Sequence, residues 1–187
     1  MKVLMDANEV ESRLDAMAGE LAAMLGNGGG AKPGFVGIRS RGIPLAERLR
    51  EKVERRLGGK FQLGTLDITL YRDDLSTLAQ QPIVGPTNLP FDVEGRPLVL
   101  VDDVIYTGRT ARAALQAIVD FGRPQRVLLA VLVDRGWREY PIHPDVAGMK
   151  VETTPGEMVK VHLPETDGRE EVTLVERSRA SQGKEGA

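Results

Sequence analysis

"VLVDDVIYTGRT", residues 99–110, decides how the rest of the chain is read. A run of aliphatic residues ends in two adjacent aspartates, then in a short loop of hydroxyls around one glycine. Two carboxylates at the end of a buried strand repel each other and are costly to desolvate, so a cationic or hydroxyl-rich partner is expected for them. In open α/β sheets, ligands bind beyond the carboxyl ends of the strands. A strand read at 97–101 delivers Asp102 and Asp103 to that edge. The loop "YTGRT" then enters a helix whose free N–H groups and dipole favour an anion, typically phosphate. Thr107 and Thr110 add hydroxyl donors, and Gly108 permits close backbone approach. A phosphate cradle beside two acceptors for ribose hydroxyls describes a ribose 5-phosphate. The plainer alternative is a capped helix with two solvated aspartates.

The flanking segments carry the periodicities of an α/β domain. "ANEVESRLDAMAGELAAML" places Val10, Leu14, Met17, Leu21 and Met24 at three- and four-residue steps, an amphipathic helix opened by a capping box of Asn8 and Glu11. A glycine-rich loop at 26–34 closes it. "FVGI" (35–38) reads as a buried strand, Pro44 opens a helix ending at Gly58, and "QLGTLDITLY" (62–71) is strand-like. Residues 72–92 are polar and hold three prolines, a connection of lid length. An alanine-rich helix (108–122) and an apolar strand (126–133) follow. Strands apolar on both faces, alternating with helices, indicate a mainly parallel sheet. The segment 134–156 reads as irregular, and "MVKVHL" with "EVTLVE" reads as an edge hairpin. A single domain over 1–176 would leave 177–187 as a disordered tail.

With 187 residues, the chain suits one domain with one substantial core. It is 41% hydrophobic and 28% charged, ordinary for a soluble globular protein. A net charge of −2 gives no global attraction to nucleic acid, so any RNA binding needs a local basic patch. The absence of cysteine excludes disulfides and thiolate metal sites. No apolar run reaches the ~18–20 residues of a membrane span. The start lacks the apolar core of a signal peptide, so a cytoplasmic protein is expected. His143 and His162 lie apart, and neither reads as a metal ligand or an acid–base group.

Over all twelve positions, "VLVDDVIYTGRT" resembles the 5-phosphoribosyl-1-pyrophosphate (PRPP) motif of type I phosphoribosyltransferases. "GIRSRGIPLAERL", "DITLYRDDLS", "FGRPQRVLLAVLVDRG" and "REYPI" are similar, in order and spacing, to the bacterial pyrimidine-operon attenuators that double as uracil phosphoribosyltransferases. The likeness runs from about residue 35 to 176. It implies the type I phosphoribosyltransferase fold, an α/β architecture whose mainly parallel central sheet is flanked by helices and carries a small hood at about 134–156. The implied reaction is uracil plus PRPP giving UMP and diphosphate, with Mg²⁺ bound alongside PRPP. By this resemblance, Arg39, Ser40, Arg41 and Gly42 form a pyrophosphate loop with a cis peptide at Ser40–Arg41. Asp102, Asp103, Tyr106, Thr107, Gly108, Arg109 and Thr110 hold the rest of PRPP. Arg72, on a catalytic loop, would reach the pyrophosphate and act with Asp102 and Asp103, while Asp73 and Asp74 would help position it or Mg²⁺. No dedicated nucleophile is needed.

The base pocket is implied by the same likeness. Asp134 would accept the uracil N3–H, with Arg135 facing the carbonyl oxygens and Pro141 and Ile142 in apolar contact. Alternatively, Asp134 and Arg135 pair with each other. Trp137 stands where the family leads one to expect histidine. Regulation in this family means binding leader mRNA in response to UMP or UTP, through a basic concave face generally made by a dimer. Arg13, Arg138 and Lys150 would contribute to that face, whereas Asp15 and Glu152 would repel phosphate. The partners expected are therefore PRPP, uracil, UMP or UTP, leader mRNA, and further copies in a homodimer or homotetramer. The competing readings are a uracil salvage enzyme without RNA regulation and a purine phosphoribosyltransferase.

Overall fold

Alternation along the strands sorts the core into two layers, one on each face of a central sheet. Val99 and Val101 pack with the aliphatic residues of the first two helices. Leu98 and Leu100, between them, pack with the alanines of the third. The computed structural model describes residues 1–26, 30–73 and 85–176. The elements run β1 (Lys2–Met5), α1 (Ala7–Gly26), β2 (Gly34–Ile38), α2 (Gly42–Leu57), β3 (Gln62–Leu66), a 3₁₀ turn (Thr69–Tyr71), β4 (Pro97–Ile105) and α3 (Arg109–Val119). They continue with β5 (Arg126–Asp134), β6 (Val146–Lys150), β7 (Glu157–His162), the one-turn helix α4 (Pro164–Asp167) and β8 (Glu171–Glu176).

Five parallel strands form the central sheet in the order β3-β2-β4-β5-β6. From β2 the chain goes to one side for β3 and to the other for β4, so the topological switch point lies between β2 and β4. That is where an open α/β sheet has its crevice. A second, antiparallel sheet, β1-β8-β7, joins the two ends of the described chain. No helix among the described residues is long and apolar enough to cross a membrane.

Several local expectations shift. The capping box is made by Asp6 and Glu9, whose side chains and backbone amides exchange hydrogen bonds of 2.9 Å. Glu11 instead binds Lys52 and Arg48 of α2, so its carboxylate is not available to a cap. β3 stops at Leu66 because the Asp67 side chain accepts the Thr69 amide at 2.8 Å and turns the chain. The segment 134–156 is not wholly irregular: 146–150 form β6, in register with β5. β1, unforeseen in "MKVLM", supplies the third strand beside the expected hairpin. The tail at 177–187 lies outside the described residues.

Close packing fixes α2 against the sheet. A Cβ on Gly37 would stand 2.5 Å from the Ile43 Cα and 2.6 Å from the Gly42 carbonyl oxygen. One on Gly42 would stand 2.4 Å from the carbonyl oxygen of Val101. Only glycine lets the helix start this close to β2 and β4. The Gly37→Ala variant is therefore expected to lose about 2 kcal/mol of stability through overpacking. Urea unfolding measures this, and an unchanged midpoint would mean that the start of α2 gives way freely.

Candidate active site

β4 is longer than its apolar run. Its pairing with β2 ends at Val101, but its pairing with β5 continues through Asp102, Val104 and Ile105. Asp102 and Asp103 thus lie within the strand, not past its end, beside the notch where β2 has turned away into the loop 39–42. Their two carboxyls lie close enough to hydrogen-bond each other. Asp102 lines a cavity of about 120 Å³ shared with Tyr106, Thr107, Gly108, Thr110 and Leu129. Asp103 feels the positive charge of Arg41.

Burial raises the pKa of both carboxyls, Asp102 well above its ordinary range, with the negative charge of Asp103 pushing it further. For Asp103, burial is opposed by hydrogen bonds from Asp102 and the Val104 amide and by the charge of Arg41. Burying the two carboxyls side by side is costly.

The loop after β4 is turned inside out by its neighbours. The Thr107 carbonyl accepts the amides of Glu139 and Tyr140 at 2.9 and 3.0 Å, and the Tyr106 carbonyl accepts from Arg138 at 2.7 Å. Gly108 has φ +90°, and a Cβ there would press on Tyr140 at 3.2 Å. The Arg109 amide donates to the Thr107 hydroxyl at 3.4 Å, and Arg112 is the first α3 residue whose amide finds a backbone acceptor in the turn, the Gly108 carbonyl at 2.9 Å. The first-turn amides ahead of it have no intrahelical acceptor and are aimed as an anion cradle.

Around this cradle the expected residues fall unevenly. The cis peptide is Arg39–Ser40, one bond earlier than expected, and it follows the last tie to β3, from the Arg39 amide to the Leu66 carbonyl at 2.9 Å. Arg39 lies 3.9 Å from Asp67, while Arg41 makes a fork to Asp167 at 2.8 and 3.1 Å. Arg109 pairs with Asp73 and Glu139 and sits over the Tyr140 ring at 5.4 Å. Asp73 is thus engaged by a guanidinium, which competes with a metal role. Arg72, Asp73, Arg109 and Thr110 share a second cavity of about 90 Å³. Asp74 lies outside the described residues.

The base-side residues depart further from expectation. Asp134 pairs with Arg138 at 2.6 Å and accepts the Gly136 amide at 2.9 Å, so its carboxylate is engaged within its own loop. The buried Arg135 donates to the Glu157 carbonyl at 2.9 Å and stacks on the Tyr106 ring at 3.9 Å. In these contacts both residues hold the wall formed by this segment. Ile142 stands 3.7 Å from where a Gly108 Cβ would be, against the cradle. Trp137 is half-exposed, its φ is 61°, and its indole N–H donates to the Thr153 carbonyl at 2.9 Å. Arg138 points inward to Asp134, Ile142 and Tyr106, so it is not part of an exposed basic face. Asp15 is paired with Lys52 and Arg56, which offsets the repulsion expected of it. Asp67, Asp167, Glu139 and Tyr140 were not singled out by sequence reading. Their partners are distant in the chain, and only the proximity of Asp67 to the "RDD" stretch offered a signal.

The phosphoribosyl transferase domain family matches residues 7–166. The chain is 51% identical over 173 residues to the Bifunctional protein PyrR of Pelotomaculum thermopropionicum, covering 92% of this chain and 94% of that one. It is 50% identical over 177 residues to the Bifunctional protein PyrR of Thermus thermophilus, covering 95% and 97%. The chain belongs to the PyrR family of phosphoribosyltransferases. Among solved structures, the hypoxanthine phosphoribosyltransferase of Trypanosoma cruzi superposes with a TM-score of 0.71, at 14% identity, over 95% of this chain and 98% of that one. The fold is that of the type I phosphoribosyltransferases.

The raised carboxyls set a pH signature. Between the ordinary aspartate range and the raised values, the folded state binds more protons than the unfolded one, so this contribution to stability falls as pH rises. Replacing Asp102 with Asn removes it. The variant is expected to unfold at higher urea than wild type at about pH 7, with the gap closing at about pH 3, while turnover falls steeply. A variant less stable than wild type at neutral pH would show that the Asp102 charge is already compensated.

Proposed function

We propose that the protein transfers the 5-phosphoribosyl group of PRPP to uracil, giving UMP and diphosphate, and that with UMP or UTP it binds pyrimidine-operon leader mRNA to attenuate transcription. One observation carries the reading: the two carboxylates and the anion cradle meet at the switch point of a chain about half identical to bifunctional PyrR proteins over nearly its whole length. In this reading the protein is cytoplasmic and works as a homodimer or homotetramer.

Displacing diphosphate from ribose C1′ builds positive charge on the sugar and negative charge on the leaving group. The α3 amides with Thr107 and Thr110 hold the 5-phosphate. Asp102 and Asp103 accept the ribose hydroxyls, and binding these donors relieves the cost of the paired carboxylates. Their remaining charge lies beside the developing cation, where a low-dielectric site makes it effective. The loop 39–42, with Arg39, and Arg72 from the other side, receive the diphosphate. Correct placement of the base over C1′ supplies much of the rest. Uracil rests against Ile142 and the Tyr106 wall, its polar edge met by backbone groups of 134–142.

Mg²⁺ fits this site as a substrate-borne ion. The described residues hold no group of three metal-ligating side chains, and Mg²⁺ commonly takes one or two carboxylates with substrate phosphates and water. Asp102 and Asp103 are the carboxylates that would hold it, and when bound it would neutralise charge on the leaving diphosphate.

For the RNA face, Arg13 and Lys150 are the exposed candidates. The inward turn of Arg138 favours a second reading, a uracil salvage enzyme without RNA regulation. Filter binding of leader RNA with and without UMP decides between them. Tight, UMP-enhanced binding supports the regulator, and binding no better than to an unrelated RNA leaves the salvage enzyme. For the chemistry, Asp103→Asn and Arg72→Ala are each expected to lower kcat about a hundredfold with the fold intact. Near-normal turnover in both would remove the mechanism. Preference for hypoxanthine or guanine over uracil in competition would overturn the base assignment.

A further inference from the structure

The fork from Asp167 to Arg41 joins two parts of the molecule that the proposed chemistry treats separately. Arg41 lies in the loop between β2 and α2, at the notch, whereas Asp167 ends α4, between two strands of the small antiparallel sheet. The two residues are 126 positions apart. Asp167 is fixed independently of Arg41: it accepts the Leu163 amide at 3.0 Å and the Thr166 hydroxyl at 2.7 Å. Its carboxylate therefore presents a set geometry to the guanidinium. Two of the five N–H donors of Arg41 face Asp167, which leaves three for an anion in the notch. The pair is partly exposed, with a third of the Arg41 side chain accessible, and such ion pairs contribute little to stability. Its specific fork geometry asks for another reason.

We propose that Asp167 is a positioning residue for the diphosphate-binding loop, holding Arg41 and with it the 39–42 backbone in the binding conformation. The small sheet is thereby part of PRPP binding, and α4 is its point of attachment. The electrostatics agree. Hydrogen bonding by Arg41 is the first cause holding the Asp167 carboxyl far below the usual aspartate range, and Arg41 in turn favours the charged form of Asp103 across the notch. Arg41 thus stands between two carboxylates, one fixing its direction and one in the site.

This inference rests on the proposed reading of 39–42 as the diphosphate loop, and the test separates the two. Initial rates are measured with uracil and PRPP for wild type, Asp167→Asn, Arg41→Lys, the double variant and Thr166→Val. Loss of the fork removes binding made equally in ground and transition states, so Asp167→Asn is expected to raise the KM for PRPP about tenfold and to change kcat less than threefold. Arg41→Lys keeps the charge and loses the fork, so it is expected to do the same. The double variant is expected to be no worse than either single one, the signature of one shared interaction. Thr166→Val removes one of the two hydrogen bonds that fix the Asp167 carboxylate but keeps the fork, so it is expected to raise the KM less than threefold. An unchanged KM in Asp167→Asn, additive effects in the double variant, or an equal rise in Thr166→Val overturns the role of Asp167. Should Asp167→Asn not fold, Arg41→Lys carries the same comparison with Thr166→Val. Absence of turnover in wild type overturns the diphosphate reading, and the positioning proposal with it.

Discussion

Everything at the site depends on how close α2 comes to the sheet. The approach of Gly42 to the Val101 carbonyl, too tight for any Cβ, fixes the level at which β2 leaves the sheet. β4 loses one neighbour there and keeps the other. A strand paired on one side only has room for a ligand on the other, and its side chains still have rigid backbone beneath them. Sites built on such elements hold their geometry better than sites on loops alone. The notch, the carboxylate pair and the loop 39–42 are consequences of one backbone contact.

Placing Asp102 and Asp103 there is unfavourable for folding taken alone. Burial raises both and the charge of Asp103 raises Asp102 further, while Asp103 is relieved in part by hydrogen bonds from Asp102 and the Val104 amide and by the charge of Arg41. A ligand with hydroxyl donors would relieve this cost, so part of it would reappear as selectivity for such a ligand. The surrounding charges are arranged differently. Arg109 and Arg41 meet carboxylates from other segments and Arg138 meets one within its own loop, leaving the cradle to the backbone amides. Backbone dipoles keep their direction whatever the ionisation of their surroundings, which suits a site that must hold an anion in one pose.

The central sheet was legible because its signals are local. Continuous apolar runs in "PLVLV" and "RVLLAVLV", three-to-four periodicity in α1, and the hydroxyl–glycine loop before α3 are each read within about ten residues, and the structure bears out the elements they indicate. Boundaries moved where a side chain captured a backbone group, as Asp67 does at the end of β3 and Asp6 does at the start of α1. The base wall was legible only as a segment. Which acid meets which arginine between 134 and 142 depends on a turn with positive φ at both Gly136 and Trp137, and a non-glycine residue there leaves no pattern in sequence.

What lay beyond reading was the long-range pairing. Nothing local marks Asp167 as the partner of Arg41, or Glu139 as that of Arg109, because a surface carboxylate has no periodicity and many available cations. These pairs share a property nonetheless. Each ties a loop at the carboxyl edge of the sheet to a segment outside the β2–β4 notch: Glu139 ties the cradle to the base wall, and Asp167 ties the loop 39–42 to the small sheet. Apolar packing sets where the layers sit, but it is non-directional and cannot set the angle of a loop lying at a sheet edge. A forked guanidinium–carboxylate pair is directional, and at a half-exposed edge it does so at little cost in desolvation. The chain thus uses burial to make the notch and partly exposed ion pairs to aim what surrounds it. This division explains why the core was visible in the sequence while the aim of its loops was not.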